Sequence, residues 1–365
     1  MGKRLIISVP QMFSMLFISR LVVETTYSAI MSQGNNILDH ILSAGTAFFI
    51  VFLLILPIYF LFNMDNSMDV LDNSYELLGK TGNLVSGLYA LYFLFTCVHT
   101  VALFKIFLSN VINPPVSTEV LLTTMVIAAS YGAYKGVEGL ARTSGVILFF
   151  MIISMIFIGI SLFDQIDCLN FPPFLYQGTQ SFEGGLMYMI SRSSCIPAMA
   201  ILFPMAKGNL KKGIFIWNLG IYALISVVIL LMVGSMGDFL QTQLFPVYTA
   251  GSIAKIGSLE HLDALYLGIW TMGIFIKLSL FFMLSGECVK KFAGEKLGRF
   301  FVLVFGFIMI FFGIFLNKNA ISSGIFSSPF LLGSMLLVGV VVPLALIILK
   351  KLKTEKLSIE GKEKQ

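Results

Sequence analysis

Charged side chains are scarce in this 365-residue chain, since Asp, Glu, Lys and Arg together make up 12% of it and hydrophobic residues make up 57%. A soluble globular domain carries about 25% charged residues. The composition therefore excludes an ordinary soluble protein and indicates a polytopic helical membrane protein. The net charge of +5 does not indicate a nucleic-acid partner, because the positive residues lie at the ends of apolar segments instead of forming one patch.

Reactive residues are also few. There are three histidines in separate segments, and the motifs H-E-x-x-H, G-x-S-x-G and the Walker loop are missing. The four cysteines show no C-x-x-C spacing, so buried free thiols are their usual interpretation. These absences argue against the common metal and hydrolytic centres. We expect neither an enzyme nor a bound cofactor or metal ion.

Long apolar runs are abundant. Spanning a bilayer takes about 20 mostly apolar residues, and the runs are unbroken instead of alternating, which favours helices over a β-barrel. No small-residue cleavage site follows the first run, so it is expected to remain as a helix. We predict one transmembrane domain over 1–350 and a cytoplasmic Lys/Glu-rich tail over 351–365. The ten predicted segments are roughly 5–31, 43–62, 83–111, 118–134, 143–164, 182–206, 213–236, 262–289, 300–316 and 329–350.

The distribution of lysine and arginine predicts the orientation. With the N-terminus in the cytoplasm, 18 of the 24 Lys and Arg residues lie on the cytoplasmic side and two lie in outer loops. This asymmetry agrees with the positive-inside rule and places both termini in the cytoplasm. Four basic residues remain inside the segments, namely Arg20, Lys105, Arg192 and Lys277.

An ionisable group at mid-membrane depth is costly and usually has a function. Arg20 is followed four residues later by Glu24, on the same helical face. This pair is either a structural ion pair or part of a ligand or gating site. Arg192 lies near the middle of the sixth segment, where a proline favours a break in the helix. The polar and helix-breaking residues around it are Ser191, Ser193, Ser194 and Pro197.

Other polar or aromatic residues within the segments have two interpretations each. Lys105 lies near a segment end, where its ammonium group is expected to reach the interface. Lys277 lies mid-segment, and Glu24 is one candidate partner. His99 is either a hydrogen-bonded buried histidine or a relay, and Trp270 is either packing or a wall of a substrate pocket. The remaining candidates for ligand binding or gating are Ser19, Thr25 and Cys97.

The two halves of the chain have a matching arrangement. Segments one to five begin inside and segments six to ten begin outside, so a repeat of five helices must be inverted in the membrane. Arg20 and Arg192 lie in the lead segments of these halves. We predict an all-α integral membrane protein with ten transmembrane helices in a 5+5 inverted repeat (LeuT-like), with half-repeats at about 5–164 and 182–350 and with interrupted first and sixth helices. The alternative is a helical bundle without such a repeat.

Several motifs carry a family resemblance. Gly136 to Thr143, with the sequence Gly-Val-Glu-Gly-Leu-Ala-Arg-Thr, resembles the junction between the fourth and fifth helices of the endospore germination permeases. One departure is Ser19-Arg20-Leu21, which stands where amino-acid permeases commonly have a glycine-rich break. The other matching stretches are Ile7-Ser8 with Gln11, Phe245-Pro246-Val247-Tyr248, Leu262-Asp263-Ala264-Leu265-Tyr266, Trp270 and Phe275-Ile276-Lys277.

The resemblance implies a specific function. Such proteins are B-type subunits of nutrient germinant receptors in the inner membrane of bacterial spores, and their fold is similar to that of the amino acid–polyamine–organocation transporters. They act with an A-type membrane subunit and a C-type lipoprotein. The implied role is to recognise a small nutrient, commonly an amino acid, and to signal germination. The alternative is a secondary amino-acid transporter coupled to protons or sodium.

Overall fold

The computed structural model describes residues 7–26, 36–111, 117–256, 259–260, 262–315 and 328–362. Nearly all of these residues are helical, apart from two short strand pairs. The strands are β1 (Ile7–Ser8) parallel to β2 (Ala206–Lys207) and β3 (Lys255–Ile256) antiparallel to β4 (Leu259–Glu260). The helices are α1 (Val9–Thr25), α2 (His40–Met64), α3 (Val70–Leu78), α4 (Gly82–Val111), α5 (Thr118–Lys135), α6 (Val137–Leu162), α7 (Gln180–Ser191), α8 (Cys195–Leu202), α9 (Leu210–Met236), α10 (Pro246–Ile253), α11 (Asp263–Ala293), α12 (Glu295–Phe315), α13 (Ser328–Leu336) and α14 (Val342–Lys362).

Each of the ten segments predicted from the sequence coincides with a helix or a pair of helices. Eight helical stretches of the described chain are long and apolar enough to cross a membrane. The other two segments correspond to α1, with 17 residues, and α5, with 18 residues. The prediction of an all-α integral membrane protein is therefore confirmed.

The sixth segment is interrupted as predicted, whereas the first is not interrupted where it is described. Helix α7 ends at Ser191 and α8 begins at Cys195. Helix α1 is continuous from Val9 to Thr25, so the predicted interruption of the first helix is corrected for these residues, and the helix runs unbroken through Ser19-Arg20-Leu21. This stretch contains neither glycine nor proline, and nothing in it disrupts the helical hydrogen bonds. The predicted residues 27–31 of this segment lie outside the described part.

A capping box fixes the start of α1. The Ser8 backbone N–H donates to Gln11 Oε1 at 3.0 Å, and the Gln11 N–H donates to Ser8 Oγ at 3.4 Å. Pro10 lies in the first turn, where its missing N–H costs nothing. Strand β1, just before α1, pairs with β2, just after the sixth segment. The lead segments of the two halves are thus joined at one end of the bundle, which we call the lysine-rich end because Lys80, Lys135, Lys207 and Lys350 also lie there.

Helices α1 and α11 form the centre of the bundle. Most side chains of α1 are buried, including those of Ser19, Arg20, Glu24 and Thr25. Helix α1 packs against α6, α9 and α11, and α11 also packs against α4, α5 and α12. In helices such as α2 and α6, by contrast, about two thirds of the residues in the most apolar stretch are not buried by the rest of the protein. The exposed apolar faces suit contact with lipid, and the two central helices carry the buried Arg20, Glu24 and Lys277.

Two short helices lie at opposite ends of the bundle. At the lysine-rich end, Asp69 and Asp72 cap α3, a helix that the sequence analysis did not predict. Asp72 pairs with Lys291 of α11, and Asn73 Oδ1 accepts from Lys350 Nζ of α14 at 2.8 Å. At the other end, α10 covers the start of α11, and Tyr248 donates to Asp263 Oδ2 at 2.8 Å.

The contact between α1 and α11 depends on Gly273. A Cβ atom at this position would overlap Cγ2 of Val22, whereas one at Gly268 of the same helix meets nothing within 4 Å. We expect Gly273→Val to destabilise the protein by about 1–3 kcal/mol through overpacking, and Gly268→Val to lower the thermal midpoint in detergent much less. Since both changes put valine into one helix, equal losses would contradict this account of the contact.

Candidate functional site

The centre of the candidate site is the break between α7 and α8, at residues 192–194. The Ser193 N–H donates to the Ile190 carbonyl at 3.0 Å, and the Ile196 N–H donates to the Ser193 carbonyl at 3.0 Å. These tight turns replace the regular helical pattern. Pro197 lies in the first turn of α8, where it lacks an N–H and prevents the helix from continuing backward as one α-helix. Arg192, Ser193 and Ser194, three consecutive polar residues, therefore lie outside regular helix in the middle of a membrane-spanning segment.

Arg20 of α1 binds this break. Its Nη1 atom donates to Ser193 Oγ at 2.6 Å, and its Nη2 atom donates to the Met189 carbonyl at 2.5 Å. Nη2 also lies 3.2 Å from the Tyr222 hydroxyl of α9. The carbonyl of Met189 is near the end of α7, where the last carbonyls lack helical partners. One guanidinium thus joins three transmembrane segments.

The ion pair between Arg20 and Glu24 is formed, as one interpretation of the sequence expected. Arg20 Nη2 lies 2.9 Å from Glu24 Oε1, and the two side chains are 1% and 4% exposed. This oxygen lacks a partner with hydrogen-bond geometry among the described residues. The interaction is therefore mainly charge attraction, and it is strong only because water is excluded.

Arg192 lies in the break and points across to the last segment. Its Nη1 atom is 3.1 Å from Ser191 Oγ and 3.1 Å from Ser328 Oγ, at the start of α13. The guanidinium carbon lies 3.9 Å from the centre of the Tyr188 ring. The residue is 6% exposed. Arg192 is therefore held by hydroxyl groups and an aromatic face.

Lys277 reaches the same break from α11. Its ammonium nitrogen lies 3.1 Å from the Ser19 carbonyl of α1 and 3.3 Å from Ser194 Oγ. It also lies 5.4 Å from the centre of the Phe281 ring. Glu24, the candidate partner considered from the sequence, binds Arg20 instead, because Arg20 lies on the same helical face of α1.

A small cavity lies between these groups. It has about 20 Å³ of space for the centre of a water molecule, which is room for one or two waters. Arg192 and Lys277 both line it, and so does His99 of α4. The full lining is Val23, Tyr92, Phe95, Thr96, His99, Ser191, Arg192, Ser194, Lys277, Leu331 and Ser334.

Several predicted site residues lie elsewhere. Trp270 donates to Thr26 Oγ1 at 2.8 Å and stacks on Phe104, so it packs at the end of α1. Thr25 lines a separate cavity with Trp270. Cys97 is buried in α4 but is not among the residues that line the cavity at the break. The predicted residues that line the cavity are Ser191, Arg192, Ser194, His99 and Lys277. The predicted residues that form the break, bind it or contact a residue that binds it, without lining the cavity, are Ser19, Arg20, Glu24, Ser193 and Pro197.

Sequence reasoning missed three polar contacts of the site. Tyr188 precedes Arg192 by four residues, a spacing that indicates one helical face and was readable in the sequence. Tyr222 and Ser328 lie in other segments. Their segments are apolar on every face, so no periodic signal shows which side chains point inward.

The fold defines the class of protein first. A substrate-bound, outward-open structure of a Na+-coupled sialic acid symporter is similar to this chain with a TM-score of 0.66, covering 92% of this chain and 79% of that chain at 12% sequence identity. At this identity the likeness shows the fold alone, which is that of the inverted-repeat membrane transporters. A family model described as spore germination protein matches residues 6–321. The chain belongs to this spore germination permease family, and the resemblance drawn from its motifs is confirmed. Among curated proteins, none matches the sequence.

The buried ion pair provides a test of the site's architecture. Removing one partner of a buried pair costs about 3–5 kcal/mol, so we expect Arg20→Met to destabilise the protein strongly in detergent-based unfolding. The matched control is Arg142→Met, which breaks an exposed pair with the same spacing, Arg142 with Glu138, worth about 0–1 kcal/mol. Removing Glu24 as well, in Arg20→Met/Glu24→Gln, should restore part of the loss. Equal effects of the two single changes would show that Arg20 does not hold the break in place.

Proposed function

We propose that this protein is the B-type membrane subunit of a spore germinant receptor, which recognises a small nutrient in the cavity at the break of the sixth segment and signals germination. Its family and its fold support a germination-related membrane protein or transporter. The observation that carries the proposal is a buried cavity in which two cationic side chains meet a helix break. An amino acid is the ligand that family resemblance favours.

Arg192 is the proposed anchor for the carboxylate of the nutrient. A guanidinium binds a carboxylate with two parallel hydrogen bonds, which are stronger than those to a neutral hydroxyl. The start of α8 lies directly after these residues and adds the positive end of a helix dipole. Ser191 and Ser194, whose side chains line the cavity, supply further hydrogen bonds.

Binding requires movement of a cavity wall. The cavity holds only one or two waters, so it is too small for an amino acid as it stands. Leu331 and Ser334 of α13 form part of its lining. Arg192 also binds Ser328, in the first turn of this helix. A carboxylate that takes Arg192 from Ser328 releases α13, and a ligand shifts an equilibrium only through such a difference between states. Helix α13 is therefore the proposed moving element.

The last segment connects this movement to the lysine-rich end. It contains a π-helical turn at Leu337–Val341, which the Tyr89 hydroxyl supports by donating to the Val338 carbonyl at 2.7 Å. Gly339 approaches α8, since a Cβ atom there would come within 3.2 Å of Pro197 Cγ. At the end of the segment, Lys353 Nζ lies 3.3 Å from the Glu76 carbonyl of α3. We propose that this end contacts the A-type membrane subunit and the C-type lipoprotein.

The proposed orientation follows from the charges. The lysine-rich end faces the cytoplasm, both termini lie there, and the chain spans the inner membrane of the spore as one domain over 1–350. Residues 351–362, which the sequence analysis assigned to a tail, continue α14 as a helix. Their lysines suit a position at the surface of an anionic membrane.

The second candidate is a secondary transporter. A neighbour in fold is described as a Na+-coupled sialic acid symporter, and the same fold serves carriers. Net flux of an amino acid into proteoliposomes that contain this chain alone would favour transport. Binding without net flux favours the receptor.

Arg192 provides the test of ligand recognition in spores. We expect Arg192→Ala to raise the amino-acid concentration for half-maximal germination at least tenfold, since a hydrogen bond to a charged group contributes about 1.5–3 kcal/mol. Spores with Arg142→Ala, an exposed arginine of α6, serve as the control. Receptor levels are matched by immunoblot, and an unchanged dose response of Arg192→Ala would remove Arg192 from the ligand site.

The native cysteines provide a test of orientation. Cys168, between α6 and α7, is exposed, and the other three are buried. A membrane-impermeant maleimide should therefore label the chain in intact protoplasts, and Cys168→Ser should abolish the labelling. Lys212→Cys in the Cys168→Ser background places an exposed thiol at the lysine-rich end, and it should react only after permeabilisation. The reverse pattern would invert the proposed orientation.

A further inference from the structure

The site holds more positive charge than the described residues balance. Arg20, Arg192 and Lys277 are all buried near the break. Glu24 is the single carboxylate within 4 Å of any of them in the described chain, and it binds Arg20. Within the part of the chain that the structure describes, Arg192 and Lys277 contact only neutral groups. These groups are hydroxyls, a carbonyl and aromatic rings. Buried charges normally have a partner of opposite charge.

The two cations without a carboxylate partner share one cavity. Arg192 enters it from the break of the sixth segment and Lys277 from α11. Both are at least nine-tenths buried. An anion in this cavity would replace hydroxyl and carbonyl contacts with charge-assisted hydrogen bonds from both sides, which are about twice as strong as neutral ones. The cavity is thus built for a negative charge.

Among the described residues that line this cavity, none offers a comparable partner to a positive group. Glu24 does not line it but faces another cavity, together with Leu21, His40 and the apolar side chains of α9. An ammonium group in the Arg192 cavity would meet two cations and a set of neutral oxygen atoms. The charges that line the cavity therefore favour the carboxylate of an amino acid, and its amine has no charged partner there.

We propose that Arg192 and Lys277 together bind the carboxylate of the ligand and that an α-ammonium group is not required. The ligand class is then a small carboxylate, with or without an amino group, whereas amines and carboxamides of the same skeleton are excluded. This inference rests on the proposed function, because it assigns the ligand class of the same cavity. Lys277 is the new element, and it acts as a second anion-binding residue opposite Arg192.

The experiment uses the full-length chain in lipid nanodiscs and a matched set of compounds. For the alanine, valine and leucine skeletons, calorimetry compares the amino acid, the deaminated acid, the decarboxylated amine and the amide. The deaminated acids are propanoate, 3-methylbutanoate and 4-methylpentanoate, and the amines are ethylamine, isobutylamine and isopentylamine. We expect the acid to bind within about fivefold of the amino acid of the same skeleton. The amine and the amide should bind at least a hundredfold more weakly.

Variants assign the effect to the two cations. Arg192→Gln and Lys277→Met should each weaken carboxylate binding at least tenfold, and Lys277→Arg, which keeps the charge, should retain most of it. Lys105→Met removes a lysine from α4 outside the cavity lining and should change nothing. Elution as a single monodisperse peak and the thermal midpoint show which variants are folded. If Lys277→Met is not folded, Lys277→Gln, which also removes the charge but keeps a polar end group, replaces it and should likewise weaken carboxylate binding at least tenfold.

The outcomes separate the two levels of the proposal. If amino acids bind and depend on Arg192, but the deaminated acids bind a hundredfold more weakly or the amines bind equally well, the carboxylate inference is wrong and the nutrient site stands. If carboxylates bind a folded charge-removing variant, Lys277→Met or Lys277→Gln, as tightly as they bind the unmodified chain, Lys277 has no part in recognition and the inference is wrong. If no compound of the set binds, the proposed function and this inference are both overturned.

Discussion

The structure depends on the cost of placing an arginine inside a membrane. Arg20 lies at mid-depth in α1, and an unpartnered charge there is unfavourable by several kcal/mol. Its guanidinium is satisfied by Glu24 on its own helix, by Ser193 and the Met189 carbonyl at the break, and by Tyr222 of α9. Since these partners come from three segments, the requirement to satisfy one charge fixes how the lead segments of the two halves meet.

The break of the sixth segment has a second consequence. Unwinding a helix in a lipid environment is tolerated only where the freed backbone groups are buried in protein or line a cavity. Here, Arg20 takes the carbonyl at the end of α7, and Lys277 takes the Ser194 hydroxyl on the other side. The break is stable because cations surround it, and one of them, Lys277, lines with Arg192 the space that the break leaves open. The proposed ligand recognition would thus use a charge, that of Lys277, that also stabilises the break.

The sequence allowed the helices and the break to be predicted, but only part of the site. Apolar runs of about 20 residues have few structural solutions, and Pro197 with three neighbouring polar residues marks the interruption. The break expected in α1 was wrong within the described residues, because Arg20 is satisfied through its side chain and needs no unwound backbone. The contacts of Tyr222 and Ser328, and the separation of Glu24 from Lys277, depend on which way side chains face in segments that are apolar all round, and periodicity carries no such information.

The surplus of buried positive charge at the break favours a ligand-binding role for Arg192 and Lys277 over a purely structural one. If the cations only held helices together, a second carboxylate of the chain would satisfy them at lower cost, as Glu24 does for Arg20. Arg192 instead binds Ser328, a neutral partner on α13 that the proposed anionic ligand would displace. Under the proposed function, the difference in strength between the two partners would be the free energy available to move α13. A carrier and a receptor can share this step, and they differ in what α13 and α14 are attached to at the lysine-rich end. Lys350 and Lys353 contact α3 at the lysine-rich end, which is the face that the proposed partner subunit would meet.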